Sequence, residues 1–565
     1  MKLLRLKLTE DFRGLRNNFE ISFFDLSSNK DPFEFNPYCL VGRNGSGKSN
    51  VLEALANIFY HIECINLNFK PRGFERTQKN NKGFDATMSS PNSFELEYLI
   101  PVSWDLVDRT WDESTNSWDS LNYAHIKIVK NKSERPLISI VNHSDFTNQP
   151  KIPDRIIIKQ ILPEFIIGYS SGENEVLSLP FFKMRFIHFD EYADILTRRY
   201  DYKRPEGRLM YIDSQFSQTI LLSNFLMQDK KHLKPFTDKK NGLGILGIER
   251  FRILIQKNVV QKYKPEVIET FTVEEKSDKA NFNVELTTLI RPALDKLISC
   301  CTAYNEDDSN LILDFWVDDA LRASFKKSFT SSLDLFRTFQ ILHTLNLYDV
   351  SYQSKNDLYN SASLYVNETV PTLPSHKRIF RIKDFTVHKK ESKKTLLTKS
   401  LSDGEHQYLH TMGICLLLRE SNSLFLLDEP ETHFNPDWRS KFISILKSCL
   451  KEDKNVLRDI LITTHSPFLI SDCKKENVKW LSTENKSGPN EVTINTFGTS
   501  ITKLMNEFFG KGRQIADLSW HKMLEELKSD DITSLNDALS KFGESHEKNM
   551  ILQKLNKLIL ERGVE

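Results

Sequence analysis

Residues 42–49 read Gly-Arg-Asn-Gly-Ser-Gly-Lys-Ser, a complete match to the phosphate-loop pattern G-x-x-x-x-G-K-[ST]. The glycines let the backbone bend and bring its N–H groups close to phosphate oxygens. Lys48 is expected to reach the β- and γ-phosphates, and the Ser49 hydroxyl is expected to be a ligand of Mg²⁺. An apolar run at 37–41 and an amphipathic run at 50–55 predict a strand before the loop and a helix after it, whose N-terminus favours an anion. The stretch therefore predicts an α/β protein that binds ATP or GTP.

A second apolar run, at 423–427, ends in the carboxylates of Asp428 and Glu429. We assign Asp428 to the metal, because a carboxylate at a strand end can hold Mg²⁺ through its water shell, and Glu429 to the activation of the attacking water. Asp428 lies 380 residues after Lys48, which is too far for a small GTPase or a simple kinase. The spacing predicts a nucleotide domain that is split by a large insertion.

Two further motifs flank the acidic run. The segment 401–407 reads Leu-Ser-Asp-Gly-Glu-His-Gln and precedes a helix-like run. Ser402 and Gly404 would lie at the helix N-terminus, where a hydroxyl and free backbone N–H groups can bind an anion, although Ser-Asp-Gly is also an ordinary helix cap. A third apolar run, at 459–464, ends in His465.

In this order, the motifs resemble those of the ABC, SMC and Rad50 ATPase superfamily. The resemblance implies that the segment around Ser402 is the signature motif, that His465 is the switch histidine, which contacts the γ-phosphate, and that a hairpin at 11–15 approaches the nucleotide. It also implies that two subunits pair head to tail, so that the signature of one caps ATP held by the other. The expected ATP contacts are Arg13, Gly42, Arg43, Asn44, Gly45, Ser46, Gly47, Lys48, Ser49 and Asn50. The expected γ-phosphate contacts across the dimer are Ser402, Gly404 and Glu405, the metal ligands are Ser49 and Asp428, and the catalytic residues are Glu429 and His465.

Around the acidic run, the sequence resembles a smaller group of ATPases within this superfamily. Asp-Glu-Pro-Glu at 428–431, with Pro436 beyond it, and Thr-His-Ser-Pro at 464–467 resemble the motifs of overcoming-lysogenization-defect (OLD) type ATPases. OLD nucleases continue into a Toprim domain, which needs a D-x-D pair, and the adjacent Asp530 and Asp531 lack that spacing. Without this nuclease, the chain is most similar to the ATPase subunit of Septu-type antiphage systems, the PtuA-like and retron-associated forms. That resemblance implies an HNH-type nuclease as partner and, in a retron, a reverse transcriptase with its RNA and DNA; direct contact with DNA or RNA stays open.

The segment Ser171-Gly172-Glu173 imitates the signature motif, and residues 185–191 imitate the acidic run. One interpretation is a second nucleotide-binding half, but Pro180 interrupts the segment and leaves too little room for a full helix and strand. We favour a position of 169–173 near the first site. In the superfamily a Q-loop glutamine contacts the metal there, and this sequence offers no secure glutamine.

Charge, cysteine content and hydropathy indicate which partners and which cellular compartment to expect. Lys and Arg number 77 against 76 Asp and Glu, so the net charge of +1 gives no overall basic field that would indicate nucleic acid. The basic run at 389–394 is interpreted as a solvated loop. The 7 cysteines show no C-x-x-C spacing and are interpreted as thiols of a reducing cytoplasm. No apolar run approaches the roughly 20 residues of a membrane span, and residues 1–8 alternate as a strand does, so we expect a cytoplasmic protein.

We divide the chain into four units. These are ATPase lobe I with its phosphate loop and β-extensions at 1–200, a mainly helical insertion at 201–375, ATPase lobe II at 376–500 and a C-terminal helical region at 501–565. The fold class is thus an ABC-type P-loop ATPase head of α/β type, split by the insertion and followed by a helical tail.

Helices are predicted within the insertion at Gln218–Met227, Gly247–Gln261 and Leu286–Ala303. No sustained heptad indicates a coiled coil. In the tail, an apolar stripe fits either a packed subdomain or a docking surface: Leu552, Leu555, Leu558 and Ile559. Three tryptophans recur at sevenfold spacing, as in a helical stripe or a loop against a partner: Trp104, Trp111 and Trp118.

The predicted function is the binding and hydrolysis of ATP within a bacterial antiphage defence system, where the chain regulates a separate nuclease. The alternative is an SMC- or Rad50-like ATPase of DNA repair or chromosome structure, which would predict a long coiled coil that the pattern does not show. A transporter ATPase would predict a contiguous domain of roughly 200–250 residues, which the split site disfavours.

Overall fold

A computed structural model of the chain describes residues 1–28, 31–71, 74–77, 83–102, 123–146, 149–171, 177–198, 207–238, 242–262, 283–361, 373–390, 392, 394–450, 456–510 and 515–562. The strands are β1 (Lys2–Leu8), β2 (Phe19–Ser22), β3 (Tyr38–Val41), β4 (Phe94–Pro101), β5 (Tyr123–Lys130), β6 (Leu137–Ile140), β7 (Phe165–Ser170), β8 (Leu209–Tyr211), β9 (Ile245–Gln256), β10 (Val260–Lys262), β11 (Asn283–Glu285), β12 (Ala303–Glu306), β13 (Asn310–Trp316), β14 (Phe380–Lys389), β15 (Leu396–Leu397), β16 (Ser423–Asp428), β17 (Asp459–Thr464) and β18 (Val478–Trp480). The helices are α1 (Lys48–Ile65), α2 (Arg155–Ile161), α3 (Leu179–Arg198), α4 (Ser217–Met227), α5 (Lys234–Thr237), α6 (Arg291–Cys300), α7 (Asp319–Ser328), α8 (Ser332–Leu345), α9 (Tyr352–Asn360), α10 (Asp403–Leu417), α11 (Pro436–Cys449), α12 (Pro467–Ser471), α13 (Ile501–Phe509), α14 (Asp517–Glu526), α15 (Ile532–Lys541) and α16 (His546–Arg562). The three tryptophans at sevenfold spacing lie outside the described residues, as do Gly172 and Glu173.

A six-stranded parallel sheet positions the predicted site. Its strand order is β18-β3-β17-β16-β7-β8, and every neighbouring pair is parallel. Strands covered on both faces are expected to be continuous apolar runs, and β16 and β17 are buried along their whole length. Because parallel strands end at the same edge, the phosphate loop after β3, the acidic pair at the end of β16 and His465 after β17 come together there.

Two antiparallel sheets share hydrophobic cores with opposite faces of the parallel sheet. The sheet β2-β1-β4-β5-β6 shares a core with α1, α3 and the side chains of Leu424 and Leu426 on β16. The sheet β12-β13-β9-β14-β15 shares a core with α4, α8, α10 and the side chains of Phe425 and Leu427. Since successive side chains of a strand point to opposite faces, β16 contributes to both cores. This burial on both sides fixes the position of its acidic end.

The interval 201–375 contains strands as well as helices. The helix predicted at Gln218–Met227 is present as α4, and α6 occupies the middle of the one predicted at Leu286–Ala303. The helix predicted at Gly247–Gln261 is wrong, because most of this stretch belongs to β9. The inward side chains of β9 alternate with outward ones, which is the period of a half-buried strand: Phe251, Ile253 and Ile255.

Strand pairing crosses two of the predicted unit boundaries. β8 lies inside the interval 201–375 but pairs with β7 in the parallel sheet. β9 lies in the same interval but pairs with β14, which follows residue 375. The interval is therefore joined through main-chain hydrogen bonds to the segments before and after it.

The described residues after 500 form four helices, α13 to α16. α14, α15 and α16 pack on one another around Met523, Leu535, Ile551 and Leu555. Of the predicted stripe, Leu555 lies in this core, Leu558 and Ile559 are half-buried, and Leu552 is exposed. The stripe thus forms mainly the core of its own bundle.

Membrane-spanning helices were sought among the described residues, and none of their helices combines the length and apolar character required.

Candidate nucleotide-binding site

The phosphate loop joins β3 to α1 in a conformation that requires glycine. Gly42, Gly45 and Gly47 have φ angles of 146°, 79° and 93°, a region that residues with side chains rarely adopt. A Cβ atom on Gly42 would also lie 2.0 Å from the carbonyl oxygen of Leu481. Gly47 immediately precedes α1, which has no side-chain cap, so the first N–H groups of that helix open towards the loop.

Lys48 is buried, and its ammonium group folds back onto the loop. Its Nζ donates to the carbonyl oxygens of Gly42 and Arg43 at 3.0 and 3.2 Å. Burial lowers the pKa of Lys48, while the charges of Glu429 and Asp428 oppose that shift. The ammonium group thus lies on the loop at the N-terminus of α1, where an anion is favoured, and it is subject to the charges of Glu429 and Asp428.

Asp428 joins the acidic strand to the phosphate loop. Its Oδ1 accepts hydrogen bonds from Ser49 Oγ at 2.7 Å and from Thr463 Oγ1 at 2.6 Å. Ser170 Oγ, at the end of β7, lies 3.5 Å from Oδ2. The two predicted metal ligands are therefore in direct contact. Sequence reasoning missed Thr463 and gave no role to Ser170, although it placed the segment 169–173 near the site; the signal that both residues share is a hydroxyl at the end of a buried strand.

Glu429 has a left-handed backbone conformation, with φ of 49°. This conformation costs about 1–2 kcal/mol for a residue with a side chain. Hydrogen bonds hold it: Glu429 N donates to the carbonyl oxygen and the hydroxyl of Thr463, and Thr432 Oγ1 donates to Glu429 O. The result places Glu429 Oε1 3.4 Å from His465 Nε2. Backbone strain that the surroundings enforce is typical of functional sites.

His465 lies half-buried between Glu429 and the end of α13. Its ring centroid is 5.9 Å from that of Phe509, whose carbonyl oxygen accepts a hydrogen bond from Arg43 Nε at 3.2 Å. Burial and the charge of Lys48 lower the pKa of His465, against the effect of the two carboxylates, which favours a neutral imidazole at neutral pH. Phe509 therefore contacts two predicted site residues, and no sequence pattern identified it.

The hairpin before the loop lies against α1. The side-chain oxygen of Asn50 accepts from Gly14 N at 3.3 Å, and Arg13 Nε donates to Glu53 Oε1 at 3.0 Å. Arg13 is therefore paired with a carboxylate of α1. Its contact with the nucleotide stays a prediction. Asn44 is exposed at the tip of the loop, and Ser46 Oγ is buried without a hydrogen-bond partner among the described atoms.

The predicted signature segment forms the N-terminus of α10. Ser402 and Glu405 make a complete capping box, in which Ser402 N donates to Glu405 Oε2 at 2.8 Å and Glu405 N donates to Ser402 Oγ at 3.4 Å. Lys389 forms an ion pair with Glu405. A Cβ atom on Gly404 would lie 2.8 Å from the carbonyl oxygen of His433, so this glycine permits close packing on the loop after β16. Ser402 itself is exposed.

Gln407 connects α10 to the loop after β16. Its Oε1 accepts from His433 N at 2.9 Å, and its Nε2 donates to Glu429 O at 3.4 Å. Sequence reasoning gave it no role, because a glutamine on a helix carries no pattern of its own. Through Gln407, α10 contacts the loop that carries Glu429 in the same chain.

The described segment that imitates the acidic run does not form a second acidic strand. Residues 185–191 lie within α3 rather than at the end of a strand, so the interpretation as a second acidic strand is wrong. Ser171 instead donates from its N–H to Asp428 O at 3.1 Å and from its hydroxyl to Thr432 Oγ1 at 3.0 Å. Among the described residues, Ser170 and Ser171 of that segment thus lie beside Asp428, and its expected position stays a prediction for the residues beyond them.

A comparison with protein-family models finds a match over residues 38–471 to the family described as "AAA domain, putative AbiEii toxin, Type IV TA system". A search among curated proteins finds no match. The matched interval includes the phosphate loop, the acidic strand and His465 together with everything between them. It covers more than half of the chain, and the chain therefore belongs to this family of P-loop ATPase domains.

Proposed function

We propose that the chain binds ATP with Mg²⁺ between the phosphate loop and the acidic strand. We also propose that it hydrolyses ATP to ADP and phosphate. The observation that carries this proposal is the 2.7 Å contact of Ser49 Oγ with Asp428 Oδ1 across 379 residues. A hydroxyl and a carboxylate fit Mg²⁺, which is bound by oxygen atoms and takes only one or two protein carboxylates besides substrate phosphates and water. When bound there, the ion would neutralise phosphate charge.

The proposed roles follow from position. Lys48 binds the β- and γ-phosphates, and Glu429 takes the proton of the attacking water as the new P–O bond forms. The bond from the γ-phosphorus to the oxygen that bridges it to the β-phosphate breaks in the same step, and ADP leaves. His465, held 3.4 Å from Glu429, lies where a neutral imidazole can form a hydrogen bond with the γ-phosphate. In this proposal, the residue that accepts the proton and the residue that senses the phosphate are neighbours.

We further propose that two chains pair head to tail, with Ser402, Gly404 and Glu405 of one facing the γ-phosphate held by the other. The exposed N-terminus of α10 supports this, because Ser402 makes its side-chain hydrogen bonds within the described residues with Glu405 alone. Sedimentation of the purified chain with Mg²⁺ and ATP should show pairing that is absent with ADP. Equal pairing with both nucleotides would contradict the proposal.

The proposed biological role is the regulatory ATPase of a bacterial antiphage system with a separate HNH-type nuclease. The resemblance of the 428–436 and 464–467 motifs supports it, as does a family description that names a putative AbiEii toxin of a type IV TA system. The partner is to be sought among proteins encoded beside this chain, with a reverse transcriptase and its RNA–DNA product if the system is a retron.

The role is tested by expressing the chain together with its neighbouring genes and counting phage plaques. Protection should require both the nuclease and Lys48, and the purified chain alone should cut neither DNA nor RNA. Protection that survives Lys48→Ala, or metal-dependent cleavage by the lone chain, would contradict the role.

A further inference from the structure

The loop after the acidic strand carries another carboxylate, Glu431, which the proposed chemistry does not use. Its side chain is buried, and its Oε1 accepts a hydrogen bond from Thr464 Oγ1. Its Oε2 lacks a hydrogen-bond partner among the described atoms. Burial of an incompletely bonded carboxyl group costs stability. The hydrogen bond at Oε1 offsets part of this cost.

Thr464 connects Glu431 to the turn that carries His465. The Thr464 hydroxyl donates its single proton to Glu431 and accepts from the backbone N–H of Ser466 at 2.9 Å. Because Glu431 takes the proton, the hydroxyl oxygen keeps its lone pairs for Ser466. Thr464 and Ser466 flank His465 in the chain, so this series of hydrogen bonds holds the backbone on both sides of the imidazole.

The preceding threonine makes the equivalent connection to the other half of the site. Thr463 Oγ1 donates to Asp428 and accepts from the backbone N–H of Glu429. The end of β17 thus holds the metal ligand and the base through one hydroxyl, and the histidine turn through the next. The carboxyl groups that orient the two hydroxyls are Asp428 and Glu431.

The charge of Glu431 is not essential to this contact. Burial raises the pKa of the Glu431 carboxyl to about 7, the hydrogen bond from Thr464 opposes the rise, and Glu429 and Arg439 act in opposite directions. A carboxyl group protonated on Oε2 still accepts a hydrogen bond at Oε1. An amide oxygen in the same place would do the same.

We propose that Glu431 is a positioning residue for His465: it orients the Thr464 hydroxyl, and the hydroxyl fixes the turn that keeps the imidazole against Glu429 and the γ-phosphate. The inference rests on the proposed hydrolysis of ATP. It assigns Glu431 no contact with substrate or metal.

The test compares two pairs of variants in the full-length protein. Glu431→Ala and Thr464→Val remove the hydrogen bond, whereas Glu431→Gln and Thr464→Ser keep an acceptor and a hydroxyl. We expect the first pair to lower kcat on the order of 10- to 100-fold, as displacement of a reacting group does, with ATP affinity nearly unchanged. The second pair should stay within about threefold of the wild type, because the contact survives.

The double variant Glu431→Ala, Thr464→Val should be no slower than the slower single variant, because both changes remove one interaction. Independent losses that multiply would overturn the proposal. So would a Glu431→Gln variant as slow as Glu431→Ala, which would mean that the charge rather than the hydrogen bond is required. If Glu431→Ala does not fold, the comparison of Thr464→Ser with Thr464→Val decides the same question.

A second readout does not depend on turnover. In protein labelled with ¹⁵N-histidine, the imidazole signal of His465 is assigned from its absence in His465→Gln and titrated by NMR. Loss of positioning should shift the pKa of His465 by about half a unit or more in Glu431→Ala and Thr464→Val but not in their conservative counterparts. An inactive wild type would refute the proposed hydrolysis, whereas an unshifted pKa in all four variants would refute the positioning role.

Discussion

Two helix N-termini serve the proposed chemistry, and they are built in opposite ways. At α1, glycines with positive φ leave the first N–H groups without a side-chain cap, and Lys48 is folded back beside them. At α10, Ser402 and Glu405 satisfy each other in a capping box. Uncapped N–H groups are ready to bind an anion, whereas capped ones already have an acceptor. We infer that α1 is prepared for phosphate within one chain, and that α10 must exchange part of its own cap for phosphate of another.

The largest expected effect is that of Lys48→Ala, which removes the cation from the uncapped N-terminus of α1. The affinity for ATP should fall about 100-fold or more, because charge-assisted contacts to two phosphates are lost. Equilibrium binding of a fluorescent ATP analogue measures it. The matched control is Lys389→Ala at the capped end, which should leave the affinity of the single chain unchanged; equal losses in the two variants would remove the distinction.

Glu429→Gln should separate binding from hydrolysis. Turnover should fall on the order of 100-fold or more, because the amide cannot accept the proton of water, while ATP binding is retained. Phosphate release and ATP binding are measured on the same sample, and sedimentation should show a pair of chains trapped with ATP. Hydrolysis at the rate of the wild type would exclude Glu429 as the base.

At the capped end, Ser402→Asp and Ser402→Ala distinguish the cap from the phosphate contact. Aspartate caps a helix as well as serine does, whereas alanine costs about 1 kcal/mol. A carboxylate should repel the γ-phosphate of the partner and weaken ATP-dependent pairing about tenfold or more, well beyond the effect of Ser402→Ala. Pairing is measured by sedimentation in the Glu429→Gln background; normal pairing of Ser402→Asp would show that this end does not bind phosphate.

The smallest expected effect concerns pH. The pKa of Glu431 is raised to about 7 by burial, so between its ordinary value and about 7 the folded chain binds more protons than the unfolded chain. The free energy of unfolding should therefore fall as pH rises through this window, by at most about 1.4 kcal/mol per pH unit. Glu431→Gln should flatten that dependence between pH 5 and 8. Melting curves in both proteins check it, and parallel curves would contradict the raised pKa.

The phosphate loop, the acidic strand and the histidine strand could be predicted because each is encoded by neighbours in the sequence. A glycine pattern predicts a backbone conformation, and an unbroken apolar run such as 424–427 predicts a strand that is buried on both faces. The same reasoning failed for β9, where alternating apolar residues at 251–255 were assigned to a helix. Short apolar patterns fit both periods, and the pairing with β13 and β14 decides between them.

The remaining site residues could not be predicted because their roles lie in contacts across the fold. Gln407 matters through His433 and Glu429, and Phe509 through His465 and Arg43. A buried glutamine or a phenylalanine at a helix end carries no local pattern that distinguishes it from a packing residue. Such residues are recognised only from their neighbours.

The sequence by itself determined that this protein has a phosphate loop, a distant acidic pair and a histidine after a third buried strand, because each motif is a local statement about backbone shape and side-chain chemistry. Only the tertiary structure decided that these motifs meet, since the parallel order β3-β17-β16 brings their ends to one edge. It also decided that Ser49 contacts Asp428 and that Thr464 joins Glu431 to the histidine turn. Hydrogen bonds of this kind require atoms to be positioned to within a few tenths of an ångström. The packing of the whole chain sets these positions, and no short stretch of sequence predicts them.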